Sequence, residues 1–246
     1  MKVTLYIDVG NTYTKFATKA REQWYFQQIE TKLIQAEVEL FSYVNENCGI
    51  KDVEKIFISS VVEEKNYLFE RLAKNFYQCE ITFLNATNTT KLNLGDANQS
   101  QVGADILANA IYAASLYKKA IVVSLGTATV ISQVKNKRLQ GAIIAPGLYN
   151  SYLNLIETAP KLPLLKFNYL EKNLGNNTEE ALSIGFLNGF YYMIEGLAKN
   201  IDPKSKILIT GGDAIYLKEI AKINKNIEFI DNMVIKGLAE EFDEHN

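Results

Sequence analysis

Two stretches about half a chain apart follow one plan, and that repetition limits the fold more than any other feature. Residues 5–16 read LYIDVGNTYTKF. An alternating apolar run (Val3, Leu5, Ile7, Val9) carries Asp8 to a strand end. Gly10 and Asn11 turn the chain, and Thr12, Tyr13 and Thr14 open a second strand that continues into Lys15. Residues 120–129 read AIVVSLGTAT, again an apolar strand, a glycine turn and hydroxyls just beyond it. One such hairpin is an ordinary polar turn. Two, so placed, predict a duplicated fold with one site between its halves. A carboxylate beside Gly, Asn, Thr and Lys suits phosphate and metal: Asp8 as an oxygen ligand, the turn N–H groups, hydroxyls and Lys15 as phosphate donors.

The rest of the chain fits that plan. A third strand is expected at Gln23–Glu30, a helix at Glu37–Asn47, a strand over 55–60, a helix over 66–77 and a strand over 80–84. Residues 85–101, NATNTTKLNLGDANQSQ, read as a polar loop, either bordering the site or merely solvated. A long helix is predicted over 102–119. The plan then repeats, with strands over 120–125, 128–134 and 138–145 and a helix at Leu148–Thr158. After the extended crossover APKLPLL comes a helix over 178–200, opened by Thr178 with Glu179 and Glu180 in its first turn. A strand at Lys206–Thr210, a helix over 213–223, a short strand over 228–230 and a helix over 234–242 complete the second set. The expected division is 1–115 and 116–246.

Composition removes several function classes. The 246 residues carry 26 Lys and Arg against 28 Asp and Glu, a formal charge of −2, so a broad basic surface for nucleic acid is not expected. Cys48 and Cys79 are too few for a disulfide framework or a zinc cluster and read as thiols in a reducing compartment. His245 is the single histidine and reads as a tail residue, which removes Ser-His-Asp and Cys-His chemistry. Acid–base work then falls to carboxylates, Lys, Tyr or water. No apolar run is long enough to span a membrane and no signal-peptide pattern opens the chain, so a cytoplasmic location is expected.

Three strands, helix, strand, helix, strand, given twice with a phosphate turn in the first hairpin each time, resembles the actin-like (ribonuclease H-like) ATPase superfamily. That group includes sugar kinases, acetate kinases and heat-shock chaperones. The resemblance implies an α/β fold of two halves, each with a mixed five-stranded sheet, and a nucleotide cleft between them. Further segments narrow it: VGAD (102–105), QGAIIAPGL (140–148), TAPKLP (158–163), GNNTEEALSIGFLNG (175–189) and TGGDA (210–214). With the DVGNT and LGTAT turns, this order and spacing resembles type III pantothenate kinase over nearly the whole chain.

The resemblance implies ATP-dependent phosphorylation of pantothenate to 4′-phosphopantothenate, the first step toward coenzyme A, by a homodimer using Mg2+. It makes Asp8 a phosphate and metal residue, with Gly10, Asn11, Thr12 and Lys15 around it. Asp105 becomes the general base, a role a carboxylate can fill by taking the hydroxyl proton as its oxygen attacks phosphorus. Gly126, Thr127, Ala128 and Thr129 match the second phosphate segment, and Gly211 and Gly212 the adenosine segment. Gly103, Ala104 and Thr178 match residues at pantothenate. Taken alone, Asp105 reads equally as a helix-start carboxylate and Thr178 as an N-cap.

The chain departs from the family pattern inside the site. Ile106 stands where an Arg helps to hold pantothenate. Ser124 replaces the Asp that binds a monovalent cation (K+ or NH4+), leaving a neutral, weaker ligand at a metal position where that cation stays an open expectation, and Ser132 replaces a later Asp. Asp96 lies near the place of a missing Tyr, and Gly141-Ala142 stands for a GG pair. Three accounts stand open: a pantothenate kinase using other residues such as Lys91, a kinase for another small alcohol, or a non-catalytic nucleotide-binding or regulatory protein.

Overall fold

The computed structural model describes residues 2–21 and 23–243; His245 lies outside them. The chain sorts into two compact units. One runs up to Tyr112 and is rejoined by the residues from Met233 on; the other runs from Ala113 to Asn232.

The first unit begins with the antiparallel meander β1 (Val3–Val9), β2 (Tyr13–Ala20) and β3 (Gln23–Glu30). After α1 (Glu37–Asn47), β4 (Val53–Ser60) pairs parallel to β1. After α2 (Asn66–Arg71), β5 (Glu80–Phe83) pairs parallel to β4. The sheet order is β3-β2-β1-β4-β5. Next comes α3 (Ala104–Leu116). The second unit repeats the arrangement with β6 (Lys119–Leu125), β7 (Ala128–Lys135), β8 (Arg138–Pro146), α4 (Leu148–Thr158), α5 (Thr178–Ile201), β9 (Lys206–Thr210) and β10 (Ile227–Phe229). Its order, β10-β9-β6-β7-β8, is the first sheet's order read position by position from the other edge. The duplication expected from the two hairpins is therefore present, with five strands in each sheet.

Burial explains why β1 is central. Leu5, Ile7 and Val9 are fully buried and pack with Leu40 and Val44 of α1 and Leu68 and Phe69 of α2. Tyr6 points to the other face, against Trp24 and Phe57. The last helix, α6 (Met233–Phe242), covers that face: Phe242 stacks on Phe57 at 4.5 Å, and the Tyr6 hydroxyl donates to Asp243. Apolar burial of this kind stabilises by roughly 1.5–3 kcal/mol per large side chain. This packing puts α6 with the first unit, whereas the reading by halves had it in the second.

Other local differences have similar causes. Segment 66–77 starts as α2 but widens into π turns over Leu72–Tyr77 and stops at Gln78, in the left-handed region at φ 52°. The helix expected over 102–119 spans only Ala104–Leu116, because Lys119 already pairs in β6. Segment 213–223 forms two 3₁₀ stretches, Gly212–Leu217 and Ile220–Ile223. Its buried Ala214, Leu217 and Ile220 recur every third residue, the period of a 3₁₀ turn. Asn177, not Thr178, caps α5: its side chain accepts the Glu180 N–H at 2.9 Å. No helix among the described residues is long and apolar enough to cross a membrane.

The 85–101 loop is tied to α6. Glu241, only 7 % exposed, accepts from Thr89 Oγ1 (2.9 Å), the Thr90 N–H (2.6 Å), Thr90 Oγ1 (2.9 Å) and the Lys91 N–H (3.3 Å). Removing this acceptor strands two backbone donors. Glu241→Ala is expected to destabilise the first unit by about 2–4 kcal/mol in urea unfolding, from the cost of orphaned donors and lost charge-assisted bonds.

Candidate functional site

The first hairpin is closed by the Gly10 N–H donating to Tyr13 O at 3.0 Å, with Val9 opposite Thr14 and Asp8 opposite Lys15. Gly10 is not in a left-handed conformation; a Cβ there would lie 3.1 Å from Tyr13 O, so close approach is its reason. Asn11 and Thr12 are exposed. Thr31, just past β3, braces the turn from below. Its hydroxyl donates to Gly10 O at 2.7 Å and lies 3.0 Å from the buried Thr14 hydroxyl, while its N–H donates to Thr12 O at 2.9 Å. Sequence reading did not find Thr31, which lies 21 residues from Gly10 and belongs to no motif.

Asp8 is pushed up to about 7 by burial and by the charge of Asp105, with Lys15 opposing both. The charge of Asp105 therefore reaches Asp8 within one unit. Asp105 opens α3 and is itself raised by burial, a shift opposed by backbone N–H donors. Its Oδ1 accepts the Ile106 N–H at 2.8 Å, and a Cβ on Gly103 would come within 2.6 Å of that oxygen. A glycine at 103 thus gives Asp105 its room. One turn further along α3, the buried Asn109 has an Oδ1 with no hydrogen-bond partner among the described residues.

The second hairpin is built differently. The Gly126 N–H donates to Ala128 O at 3.1 Å and Thr127 is exposed, but Thr129 is fully buried and shares its strand face with Leu125. The Thr129 hydroxyl has no hydrogen-bond partner among the described residues. The start of α4 packs directly on the turn: a Cβ on Gly147 would lie 2.1 Å from Gly126 O, and Asn150 Nδ2 donates to Thr127 O at 3.0 Å. Gly211 adopts φ +100° and approaches Leu125 O so closely that a Cβ would sit 2.0 Å from it. Asp213 accepts the Tyr149 N–H at 3.0 Å, capping α4 from another segment. So Gly126, Thr127, Gly211 and Gly212 come together in the second unit. An added Cβ on Gly126 or Gly212 meets nothing within 4 Å, so internal packing does not require either glycine.

Comparison with known proteins gives this geometry a family. Residues 4–200 match the family model described as type III pantothenate kinase. A type III pantothenate kinase of Mycoplasma mobile is 42% identical over 244 residues, 98% of this chain and 99% of that one. This chain belongs to the type III pantothenate kinases. Two solved structures support the fold alone. A Campylobacter jejuni protein described as a Baf family transcriptional activator superposes with a TM-score of 0.61 at 21% identity, over 96% of this chain and 98% of that one. The activator of the 2-hydroxyisocaproyl-CoA dehydratase from Clostridium difficile, with bound ADPNP, gives 0.58 at 11%, over 97% and 92%. The fold is that of the actin-like ATPases and sugar kinases.

In this pantothenate kinase relative, Asp8 sets a pH signature. The folded chain holds the Asp8 proton up to about pH 7, whereas an unfolded carboxylate releases it near 3.9. Between those values the native state binds more protons, so stability falls as pH rises through the window and levels off above it. In divalent-free buffer, Asp8→Asn is expected to remove that fall and to melt above the wild type at pH 8. Melting temperatures of both proteins from pH 4 to 8 check this.

Proposed function

We propose that the chain transfers the γ-phosphoryl group of ATP to the primary hydroxyl of pantothenate, giving 4′-phosphopantothenate, the first step toward coenzyme A. The observation that carries this reading, beside membership of the family, is a base-ready carboxylate, Asp105, held in one unit with Asp8, Lys15 and a braced glycine turn. Asp105 takes the hydroxyl proton as the substrate oxygen forms its bond to phosphorus and the bond to the ADP oxygen breaks. Lys15 and the N–H groups around Asn11 and Thr12 stabilise charge on the transferring group. Gly126, Thr127 and Ala128 serve a further phosphate. Gly211 and Gly212 serve the adenosine, where the open side of Gly212 lets the nucleoside approach the backbone.

Asp8 fits Mg2+. It is a hard oxygen donor whose ionisation is opposed by burial and by Asp105, and a bound cation would offset that cost. Bound there, Mg2+ would neutralise phosphate charge. At the second turn Ser124 and Ser132 offer neutral hydroxyls in place of carboxylates, weaker ligands for a monovalent cation.

The decisive assay is ATP-dependent phosphorylation of pantothenate with Mg2+, with and without K+. Turnover is expected in both. Asp105→Asn should lower kcat by about 10²–10⁴-fold, the range for a lost general base, while the protein stays folded. Full turnover by that variant would remove Asp105 from the role. Absence of turnover in the folded wild type would favour the other-alcohol or non-catalytic reading, which Ile106 and Ser124 support.

A homodimer is the assembly we favour, with Thr178 reaching a partner's pantothenate. The outward face of α5 supports it: Gly185, Gly189 and Gly196 lie exposed, with no atom within 4 Å of an added Cβ, alongside Tyr192 at 60 % exposure. Small residues around one exposed aromatic let two helices approach closely. Light scattering should give a dimer mass for the wild type and a monomer mass for Tyr192→Glu. Cys48 and Cys79 are both free thiols, in keeping with a cytoplasmic setting.

A further inference from the structure

The second unit carries its charge unevenly. Its sheet brings four chain segments to one end, opposite the Gly126 turn: residues 116–119, 135–138, 201–206 and 222–227. Together these segments hold nine lysines and arginines and one carboxylate, Asp202. All nine cations except Lys206 are exposed. β6 runs seven residues from this end to the Gly126 turn, about 20 Å at a strand's rise per residue, so the two ends are separate surfaces. The formal charge of −2, from which no broad basic surface was expected, averages over this concentration.

The cations form a row. Arg138 on β8, Lys135 on β7, Lys119 on β6 and Lys206 on β9 stand at the ends of neighbouring strands, and Lys225 leads into β10. Neighbouring strands lie about 4.8 Å apart, so the row is on the order of 20 Å long. Lys119 lies directly opposite Lys135, and Lys135 directly opposite Arg138. Like charges so placed destabilise a sheet. The turn between β7 and β8 adds a further cation at a conformational cost. Asn136 and Lys137 have φ 53° and 57°, a hairpin conformation that favours glycine at the second position.

Little inside the chain offsets this charge. Lys119 pairs with Asp202 at 3.3 Å, and Glu219 pairs with Lys222. No ion pair among the described residues engages Lys118, Lys135, Lys137, Lys204 or Lys225. The segments are nevertheless tied to one another. The Asn136 N–H donates to Lys118 O at 2.7 Å, Lys206 Nζ donates to Lys225 O at 3.0 Å, and Asn226 Nδ2 donates to Ser205 O at 2.6 Å. The row is thus held in place by the fold.

A fixed row of neighbouring cations is relieved by a polyanion laid along it, and a chain with one charge per residue matches its length. A membrane surface needs several apolar groups to insert. Among the described residues these segments expose one large apolar side chain, Leu116. We propose that this end of the second unit docks the phosphodiester backbone of a nucleic acid without reading its sequence. Lysine and arginine contacts to phosphate supply affinity and position and carry no base information. This surface goes beyond the kinase reading and does not depend on it.

Fluorescence anisotropy of the full-length protein with short labelled oligonucleotides tests the proposal, with single-stranded RNA, single-stranded DNA and duplex DNA separating the sources of the backbone. The expected Kd is about 10⁻⁶ M or tighter at 50 mM salt for at least one of them, weakening about a hundredfold by 200 mM, as about five phosphate contacts would give. Lys135→Glu combined with Lys137→Glu should weaken binding about tenfold or more, with melting temperature and pantothenate turnover unchanged. Lys51→Glu combined with Lys74→Glu makes the same change in net charge at exposed positions of the first unit and should bind as the wild type does. An equal loss in that control would overturn the proposal, because binding would then follow net charge alone. No binding to any of the three at 50 mM salt would also overturn it. Equal competition by polyglutamate, or tighter binding to phosphatidylserine vesicles, would overturn the nucleic-acid assignment. Pantothenate turnover is read separately, so failure of either conclusion leaves the other standing.

Discussion

The first unit depends on one constraint: its central strand is buried on both faces. Leu5, Ile7 and Val9 fill the side toward α1 and α2, and Tyr6 fills the side covered by α6. A strand enclosed in this way has one place for polar chemistry, its end, and Asp8 stands there. That position gives the carboxylate its physical character. Neighbouring strands hold it between Lys15 on β2 and Ser59 on β4, and the enclosure that fixes it also removes the water that would stabilise its charge. With Asp105 adding a second charge of the same sign, the pair is poorly satisfied in the isolated chain.

The parts of this fold legible in the sequence were those governed by short periods. Strands of period two, the glycine turns and the order of elements all followed from local pattern, and so did the repeated sheet. Packing over long separations was not legible. α6 joins the first unit because Phe242 meets Phe57 and Asp243 meets Tyr6, contacts across most of the chain that no local period encodes. Residues 213–223 carried apolar side chains that suited a helix, but burial of Ala214, Leu217 and Ile220 selected a tighter turn.

The candidate site divides along the same line. Asp8, Lys15, Gly103 and Asp105 stood out as candidates because each lies inside a short motif. Thr31 and Glu241 were not, because each acts on a distant segment: one supports the first turn, the other holds residues 89–91 in place. Thr129 adds what no motif states: strand alternation places it on the buried face beside Leu125, with its hydroxyl unpartnered among the described residues. A motif gives the residue type, but the pleat decides which face that residue reaches.

Glycines separate what the fold requires from what a ligand requires. Gly211 and Gly147 have backbone atoms where a Cβ would stand, so the chain itself demands them. Gly126 and Gly212 border the same turn with open space beside them, and packing alone would accept alanine at either. Alanine also restricts the unfolded chain more than glycine does, so stability by itself would favour the exchange. Gly126 and Gly212 are therefore glycines that packing permits rather than requires, beside Gly147 and Gly211, which it requires.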